Sequence, residues 1–305
     1  MPIKIPSTAA TDGALSMYAM TGMEEVLDNP TWEPVGLVTN WSVNPTTENE
    51  LLFYGGNRRL QNNKKMGAQY SLTFDTDVHA LDLFDLCTKD VVGTGTPAQF
   101  HSFACRVKYD LVDYYWLLTA GLFGEASLTI GRGIVKSSYT VPIVRAVDTW
   151  TLAEFKTETG VETGNPVFNA PPAPDPLFGQ SPGVSNPLPL SINGTPLEFE
   201  SVTIRQTNVV ILKRSSNVEI ATAALIGHQQ TSAEFTLYEE DRQYYRWWKN
   251  NTDLDIELIV SPTKKLVMSD FKASSAPINH PQTGDDLNRI TLATDGPKCQ
   301  VVTIP

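Results

Sequence analysis

One local pattern occurs twice in this chain and constrains how it can fold. It consists of a strand with alternating apolar residues, an acidic turn and a short helix that carries large apolar side chains. The first copy covers residues 70–87 and the second covers residues 233–248. Phe74 and Leu237, which end the two strands, are 163 positions apart (237 − 74), a little over half of the 305 residues. The spacing predicts a duplicated unit, and two copies of one surface in one chain favour a ring or a stacked assembly.

The composition changes sharply between the two copies. Residues 166–196 contain nine of the 21 prolines, and proline favours extended geometry because it lacks an N–H donor. At 305 residues the chain is long enough to bury two ordinary hydrophobic cores. We therefore predict a first domain over residues 1–165, a proline-rich linker over residues 166–196 and a second domain over residues 197–305.

Strand patterns dominate both halves. Short alternating or β-branched runs are separated by Gly, Pro, Asn and Ser, which is the pattern of β-sandwiches and barrels. The main runs are residues 36–43, 69–74, 100–107, 126–130, 139–147, 149–155, 198–204, 209–212, 218–226, 253–260, 265–271, 289–293 and 300–304. Helical spacing is confined to residues 78–87 and 241–250. We predict a mainly β fold with two tandem β-sandwich or barrel-like domains, each with one short α-helix.

The charge of the chain argues against tight binding of nucleic acid. The formal net charge is −11. Residues 1–160 carry 12 basic and 18 acidic side chains, and residues 161–305 carry 11 and 16, so both halves share the acidity. Binding by phosphate neutralisation requires basic patches, which neither half supplies as an arm or a tail.

No segment of the sequence predicts secretion or a membrane span. Residues 1–12 lack the apolar stretch of a secretory signal. The most apolar run, residues 114–123, is about half of the ~20 residues that a spanning helix needs. We expect a soluble protein that is made in the cytoplasm and has no membrane partner.

The residues that usually carry chemistry form no recognisable constellation. Cys87, Cys105 and Cys299 are odd in number and far apart, which predicts buried free thiols rather than a disulfide framework or a zinc site. The four histidines form no i, i+3 or i, i+4 pair, and no nucleophile, zinc-protease or phosphate-loop motif is present. We therefore predict no enzymatic activity, no metal and no cofactor.

One polar loop is a candidate functional site. Residues 55–67 are polar and flanked by glycines, and they hold four of the 12 basic residues in the first half: Arg58, Arg59, Lys64 and Lys65. Hairpin loops usually have 2–5 residues, and loops much longer than this are often functional. A basic loop on an acidic protein favours contact between subunits. The alternative interpretation is a solvated, mobile hairpin tip.

An aromatic cluster supports a second hypothesis. Tyr244, Trp247 and Trp248 lie on one stripe of the helix predicted at residues 241–250, a pattern that more often indicates core packing than a ligand site. Together with Trp150 and Tyr245 they could instead form a stacking platform in a carbohydrate- or receptor-binding β-sandwich. Exposed rings would favour the platform, and buried rings would favour the core. A jelly-roll capsid protein also fits the composition but does not explain the repeat.

The first 90 residues resemble the tail tube proteins, also called major tail proteins, of long-tailed bacterial and archaeal viruses. The resemblance is carried by residues 31–43, by the polar loop, and by residues 67–75 followed by the predicted helix with Leu81, Leu83 and Phe84. That family has an early strand, a long loop, a strand that ends in an acidic residue, and one helix packed on a β-sandwich. The second half joins the resemblance through the internal repeat.

The resemblance implies a structural role in a virion tail that is assembled in the host cytoplasm. Subunits of this family form rings that stack into a tube, and the long loop reaches into the adjacent ring. The lumen is typically acidic and conducts DNA without binding it tightly. A chain with two tube domains resembles the members that form trimeric rings with pseudo-sixfold symmetry. Its implied partners are copies of itself, the tape measure, tail terminator and baseplate or tip proteins, and the DNA in transit. Residues 207–224 occupy the place of the long loop in the second half but are more apolar, so we expect no equally long basic loop there.

Overall fold

The structure is a computed structural model that describes residues 13–52, 62–77, 81–89, 99–109, 112–131, 134–149, 151–162, 167–168, 189–213, 221, 223–238, 243–276, 289–297 and 299–304. Within these ranges the fold is mainly β, as predicted. The described helices have at most eight residues, and none is long and apolar enough to span a bilayer.

The described residues of the first half form eight strands and two helices. They are β1 (Gly13–Ala19), β2 (Glu33–Pro34), β3 (Leu37–Leu52), β4 (Asn62–Asp77), α1 (Asp82–Thr88), β5 (His101–Tyr109), β6 (Val112–Gly121), β7 (Glu125–Gly131), β8 (Ile134–Asp148) and α2 (Leu152–Thr159). α1 overlaps the helix predicted at residues 78–87 and ends one residue later, at Thr88. Residues 78–80 lie outside the described part of the chain.

α2 corrects two predictions, a strand at residues 149–155 and a single helix in the first half. Thr151 caps the helix, because its hydroxyl accepts a hydrogen bond of 3.2 Å from the Glu154 main-chain N–H. The Glu154 carboxylate in turn accepts a 3.1 Å bond from the Thr151 N–H, which completes a capping box. The helix ends at Gly160, whose φ of 66° is favourable for glycine.

In the second half, the part of the chain that the structure describes forms eight strands and one helix. They are β9 (Leu190–Ile192), β10 (Thr195–Leu197), β11 (Phe199–Lys213), β12 (Ala223–Tyr238), α3 (Gln243–Asn250), β13 (Asp253–Ser261), β14 (Lys264–Ser275), β15 (Arg289–Gly296) and β16 (Cys299–Thr303). β9 and β10 lie in the stretch that we predicted as a linker, and β9 pairs with β13 in the sheet. Pro196 is tolerated in β10 because this strand pairs with β9 alone. Residues 169–188 of the predicted linker lie outside the described part of the chain.

The strands of each half occur in the same spatial order. All sixteen strands belong to one connected antiparallel sheet. In the first half the neighbours run β2-β1-β5-β6-β8-β4-β3. In the second half they run β10-β9-β13-β14-β15-β12-β11. β3 is therefore the counterpart of β11, β4 of β12, and β6 of β14.

The sequence spacing follows the same correspondence. β4 pairs with β8 over residues 70–77 and β12 pairs with β15 over residues 231–238, so these paired segments begin 161 positions apart (231 − 70). The strand pairs β5·β6 and β13·β14 are 152 positions apart (264 − 112). The correspondence aligns Phe74 with Phe235, two positions before the Leu237 that the sequence pattern suggested. Both phenylalanines are buried.

The two halves meet edge to edge. β7, which also pairs with β8, pairs with β11 over six residues, from Val202↔Ile130 to Thr207↔Glu125. In the second half, the position between β14 and β15 that corresponds to β7 falls on residues 277–288, outside the described part of the chain. Through the β7·β11 pairing, the strands of one half continue directly into those of the other.

The largest buried apolar cluster extends through both halves. It includes Phe74 and Phe103 from the first half and Phe235 and Phe271 from the second. A smaller cluster lies under α2, where Phe155 packs against Trp32 with ring centroids 5.7 Å apart.

The cysteine prediction is confirmed. Cys87, Cys105 and Cys299 are free and buried. Burial raises the pKa of Cys87 and of Cys299 to about 12 and raises that of Cys105 further, so these thiols are protonated at neutral pH.

Candidate functional site

The hairpin β3–β4 extends beyond the sheet. Residues 70–77 of β4 pair with β8, whereas residues 62–69 pair with β3 alone. Residues 46–52 and 62–69 thus form a two-stranded ribbon, the first arm. Because neither edge of the ribbon is covered by another described strand, its backbone donors and acceptors face outward on both sides.

The first arm includes part of the contact loop that we predicted at residues 55–67. Residues 62–67 of that loop are strand, and Lys65 and Lys64 lie opposite Asn49 and Glu50. The predicted loop of residues 55–67 was therefore too long. The sequence of residues 62–67 is polar and has no apolar alternation, which is why it looked like a loop. Arg58 and Arg59 lie outside the described residues.

The second half also has a hairpin that extends beyond the sheet, at the place where we expected no equally long basic loop. β11 pairs with β7 only as far as Thr207, and β12 pairs with β15 only over residues 231–238. Residues 208–213 and 223–230 extend beyond them as a second arm. Leu212 and Ala224 of this arm pack against the first half, at Met20 and Val144.

A continuous polar face covers the sheet where the two halves join. It spans β3, β4, β8, β7, β11, β12 and β15 in spatial order. Its residues alternate with buried ones along every strand except β3, where the alternate residues Trp41 and Val43 are half-buried. The outward side chains are mostly short and polar. They include Asn40, Ser42, Thr73, Asp75, Ser127, Thr129, Ser138, Thr140, Thr203, Ser232, Glu234, Thr236 and Thr291.

Hydroxyl groups on the polar face bond to one another across strands. Ser42 and Thr73 are 2.7 Å apart, and Ser138 donates to the Asp75 carboxylate. Across the joint between the halves, the hydroxyls of Thr129 and Thr203 are 3.4 Å apart. Because these short side chains form hydrogen bonds with one another, few of their donors project from the surface.

Acidic side chains outnumber basic ones on the polar face. Asp75, Glu125, Glu234 and Asp295 point outward, against Lys136 and Arg205, so these six residues sum to −2. Arg205 lies 3.5 Å from Glu125, which bridges β11 and β7. The surface is therefore mildly repulsive toward phosphate groups.

Buried polar side chains tie the second arm to the first half. The Asn208 amide donates to the main-chain carbonyls of Cys87 at 2.9 Å and Phe123 at 3.0 Å. Its own carbonyl accepts bonds from Gln206 at 3.0 Å and Gln229 at 3.1 Å. We call Gln206, Asn208 and Gln229 the junction network. This network was not predicted from the sequence. Its signal is that Gln206 and Asn208 continue the alternating buried positions of Val202 and Ile204 along β11.

The aromatic residues of α3 separate into two sets. Tyr244 and Trp247 are buried, which confirms the core interpretation for these two rings. Trp248 is 46% exposed, and its ring centroid lies 5.7 Å from that of the half-buried Tyr245. The core interpretation is thus wrong for Trp248. Trp150 of the proposed platform lies outside the described residues.

The described part of the chain offers little for small-molecule chemistry. It holds no cluster of three or more His, Cys, Asp or Glu side chains that could bind a metal ion. A cavity of about 420 Å³ lies beside β6 and β8, between Glu25, Leu117 and Val144, and no aromatic side chain lines it.

Comparisons with known proteins do not identify the chain. No protein-family model matches it, and no curated protein sequence matches it. Functional inference therefore depends on the polar face, the two arms and the joint between the halves.

Proposed function

We propose that this chain is a structural virion protein, a tail tube subunit with two tandem tube domains of sandwich or barrel type. The observation that carries the proposal is the edge-to-edge pairing of β7 with β11, which joins two halves of identical strand order. A head-to-tail contact between two repeated units leaves the outer sheet edge of each unit available, so further units can bind there in the same way.

The ring follows from repeating this joint between copies. β3, the counterpart of β11, pairs with β4 alone among the described strands, so its other edge can accept a partner. In the ring, the open edge of β3 of one copy pairs with an edge strand of the next copy. Three chains supply six units, which gives pseudo-sixfold symmetry.

The polar face lines the lumen in this proposal. Retention of DNA requires basic side chains that neutralise phosphates, and the outward charges of this face sum to −2. Cross-strand hydrogen bonds such as Ser42–Thr73 also occupy hydroxyls that would otherwise bind phosphate oxygens. DNA therefore passes without specific binding, and the chain needs no catalytic residue, cofactor or membrane.

The two arms make the contacts between stacked rings. Each extends beyond the body of the sheet as a ribbon. Lys64 and Lys65 of the first arm, together with Arg58 and Arg59, which lie between β3 and β4 in the sequence, meet acidic surface on the next ring. The ends of the tube contact the tape measure, tail terminator and baseplate or tip proteins. The chain is located in the virion tail after assembly in the host cytoplasm.

One observation favours a second candidate, a carbohydrate- or receptor-binding module. The exposed ring of Trp248 beside Tyr245 offers a small stacking surface. Two further members of the hypothetical platform, Tyr244 and Trp247, are buried, which leaves this surface too small to carry the function alone.

Negative-stain electron microscopy of the purified chain tests the proposal. End-on class averages should show hollow rings or tubes with threefold or pseudo-sixfold symmetry. Monomers of 33.6 kDa that form no ring at the highest soluble concentration would contradict it and would favour the binding module. A glycan array on the same sample then tests that second candidate directly.

A further inference from the structure

The second arm is apolar on two faces, and one of them packs on the first half of the chain. Side chains alternate between the two faces along each strand of the ribbon. Leu212 and Ala224 lie opposite each other on the packed face. Ile211 and Leu225 form the next pair and therefore lie on the other face, where Ile211 is 42% exposed. We call the apolar residues of this other face the outer patch: Val209, Ile211, Ala223 and Leu225.

The outer patch continues the polar face of the sheet and reverses its chemistry. Along β11 the outward positions are Thr203, Arg205 and Thr207, followed by Val209 and Ile211. The change occurs where β7 stops pairing with β11, at Thr207. Because clusters of exposed apolar side chains on soluble proteins mark sites of interaction, the outer patch is a candidate contact surface.

The side chain of Ile211 lies across the ribbon. A methyl group added at Gly227 of β12 would come within 3.1 Å of the Ile211 Cδ1 atom. The register of β11 and β12 shifts close to this contact, between Asn208 and Val210. Glycine at this position leaves room for the isoleucine to cover the main chain of β12, which gives the outer patch a low, apolar surface.

Both arms leave the sheet at the same end. Four antiparallel pairings connect β3 to β11 through β4, β8 and β7, so β3 and β11 run in the same direction. The first arm is formed by the end of β3 and the start of β4, and the second arm by the end of β11 and the start of β12. A neighbouring ring that meets the first arm is therefore on the side toward which the second arm extends.

The two arms differ in the chemistry of their strands. Residues 44–50 of β3 are Asn, Pro, Thr and Glu, and residues 62–65 of β4 are Asn and Lys. The strands of the second arm carry four aliphatic residues each, at positions 209–212 and 223–226. The first arm is therefore suited to a charged surface, and the second arm to an apolar one.

We propose that the outer patch packs on an apolar surface of a second copy of this chain, in the next ring. The inference deepens the proposed function and rests on it, since it assigns the residues through which the second arm stacks. The contact is driven by removal of aliphatic side chains from water and needs no charge. Stacking then combines an ionic contact from the first arm with an apolar contact from the second.

The two contacts respond to salt in opposite ways. Salt screens the attraction between the basic residues of the first arm and an acidic surface. Sulfate, in contrast, strengthens the burial of apolar surface. Tubes of the unmodified chain should therefore persist in concentrated sodium sulfate, where the ionic contact alone would fail.

Ile211→Glu with Leu225→Lys removes the apolar surface and leaves the net charge of the chain unchanged. The two new side chains face each other across the ribbon as an opposite-charge pair, which favours the fold of the arm itself. The variant should still form rings, but the ring concentration at which tubes form should rise about tenfold or more in sedimentation assays. Its tubes should dissociate into rings in sodium sulfate.

Leu152→Glu with Ala153→Lys is the matched control. Leu152 is 39% exposed on α2 and Ala153 is exposed beside it, so this pair adds the same two charges away from both arms. Control tubes should form at the same ring concentration as tubes of the unmodified chain and should persist in sodium sulfate. Circular dichroism should show both double variants folded.

A photo-reactive benzophenone amino acid in place of Ile211 identifies what the outer patch contacts. Irradiation of assembled tubes should give covalent dimers of about twice 33.6 kDa. Rings kept below the concentration at which tubes form should give far fewer dimers. Absence of dimers from tubes, or equal yields from rings and tubes, would overturn the inference.

The outcomes distinguish the inference from the function on which it rests. If tubes of Ile211→Glu with Leu225→Lys match unmodified tubes in ring concentration and salt response, the contact is overturned and the tube proposal stands. Absence of rings from the unmodified chain would overturn both. Loss of stacking in this variant but not in the control, with rings retained, would support both.

Discussion

The side-chain amide of Asn208, on β11, donates a hydrogen bond of 2.9 Å to the main-chain carbonyl of Cys87, at the end of α1. The two residues are 121 positions apart, and both are buried. A second bond from the same amide reaches the Phe123 carbonyl. Asn208 therefore connects two segments of the first half to the base of the second arm, where an unpaired carbonyl would have no access to water.

Asn208→Ala should destabilise the fold by about 3 kcal/mol. The substitution leaves the carbonyls of Cys87 and Phe123 without this donor, and buried unsatisfied groups cost about 1–3 kcal/mol each. Urea unfolding followed by tryptophan fluorescence measures the change. Asn44→Ala is the control, because Asn44 is exposed and bonds only to the nearby Ser42 hydroxyl at 3.1 Å among its described contacts. Equal losses of unfolding free energy in the two variants would show that the junction network contributes no more to stability than an exposed hydrogen bond.

Gly296→Ala should cost about 1–3 kcal/mol through overpacking. A methyl group at Gly296 would come within 2.2–2.6 Å of three ring atoms of Phe271, which is fully buried. Gly131→Ala provides the matched control, since it also ends a strand and a methyl group there meets nothing within 4 Å. Thermal unfolding should show a lower Tm for the first variant and an unchanged or slightly higher Tm for the second. A neutral Gly296→Ala would mean that Phe271 moves aside freely.

Strands with one buried face could be predicted from sequence, and strands with two buried faces or none could not. β13 alternates carboxylates with aliphatic residues, and its burial follows the same period. Residues 114–118 of β6 are all apolar or aromatic and show no alternation, because buried residues occur on both faces of the strand, and β6 was not predicted as a strand. α2 was predicted as a strand because the capping box at Thr151 and Glu154 was overlooked among β-forming residues.

The candidate surfaces were predictable only where they are local in sequence. Lys64 and Lys65 stood out as a basic cluster, but their place in a strand depends on pairing with β3. The polar face is assembled from seven strands, each of which contributes a few ordinary serines and threonines. The counterpart relation between Phe74 and Phe235 required the strand order of both halves, which a pattern match shifted by two residues does not give.

Lowering the pH should destabilise the protein through His101. Burial, helped by the charge of Lys89, lowers the pKa of His101 to about 4, while the Gln99 main chain acts in the opposite direction. The unfolded chain, with a His pKa near 6.5, then binds the proton more tightly than the folded one. The stabilisation is thus complete above about pH 6.5 and is lost as the pH falls toward 4, by about 3 kcal/mol in all.

Urea unfolding between pH 7 and pH 4.5 measures this dependence against His101→Leu. The variant lacks the titrating ring, so its free energy of unfolding should fall less over the same window. The carboxylates titrate in both proteins and cancel in the comparison. Parallel curves for the two proteins would show that His101 is not the group responsible.

Charge reversal on the polar face should convert a passive surface into one that retains DNA. Glu125→Lys with Glu234→Lys changes the sum of the six outward charges from −2 to +2. Assembled tubes of this variant should bind fluorescent duplex DNA with an affinity that falls steeply with salt, whereas unmodified tubes should show no binding at physiological salt.

Glu24→Lys with Glu158→Lys makes the same change of charge away from the polar face and serves as the control. Both carboxylates line the cavity beside β6 and β8. The control tubes should bind DNA no better than unmodified tubes. Equal retention by the two double variants would argue against the polar face as the lumen.

Arg58→Glu with Arg59→Glu should shorten the tubes without dissolving the rings. Both arginines lie between β3 and β4 in the sequence, and reversing their charge replaces the proposed attraction to the acidic next ring with repulsion. Tube length in electron micrographs measures stacking, and end-on averages show whether rings persist. Arg145→Glu with Lys156→Glu reverses two charges on β8 and α2 and should leave the length unchanged. Tubes of normal length from the arm variant would assign stacking to the second arm, whose apolar side chains do not respond to a change of charge.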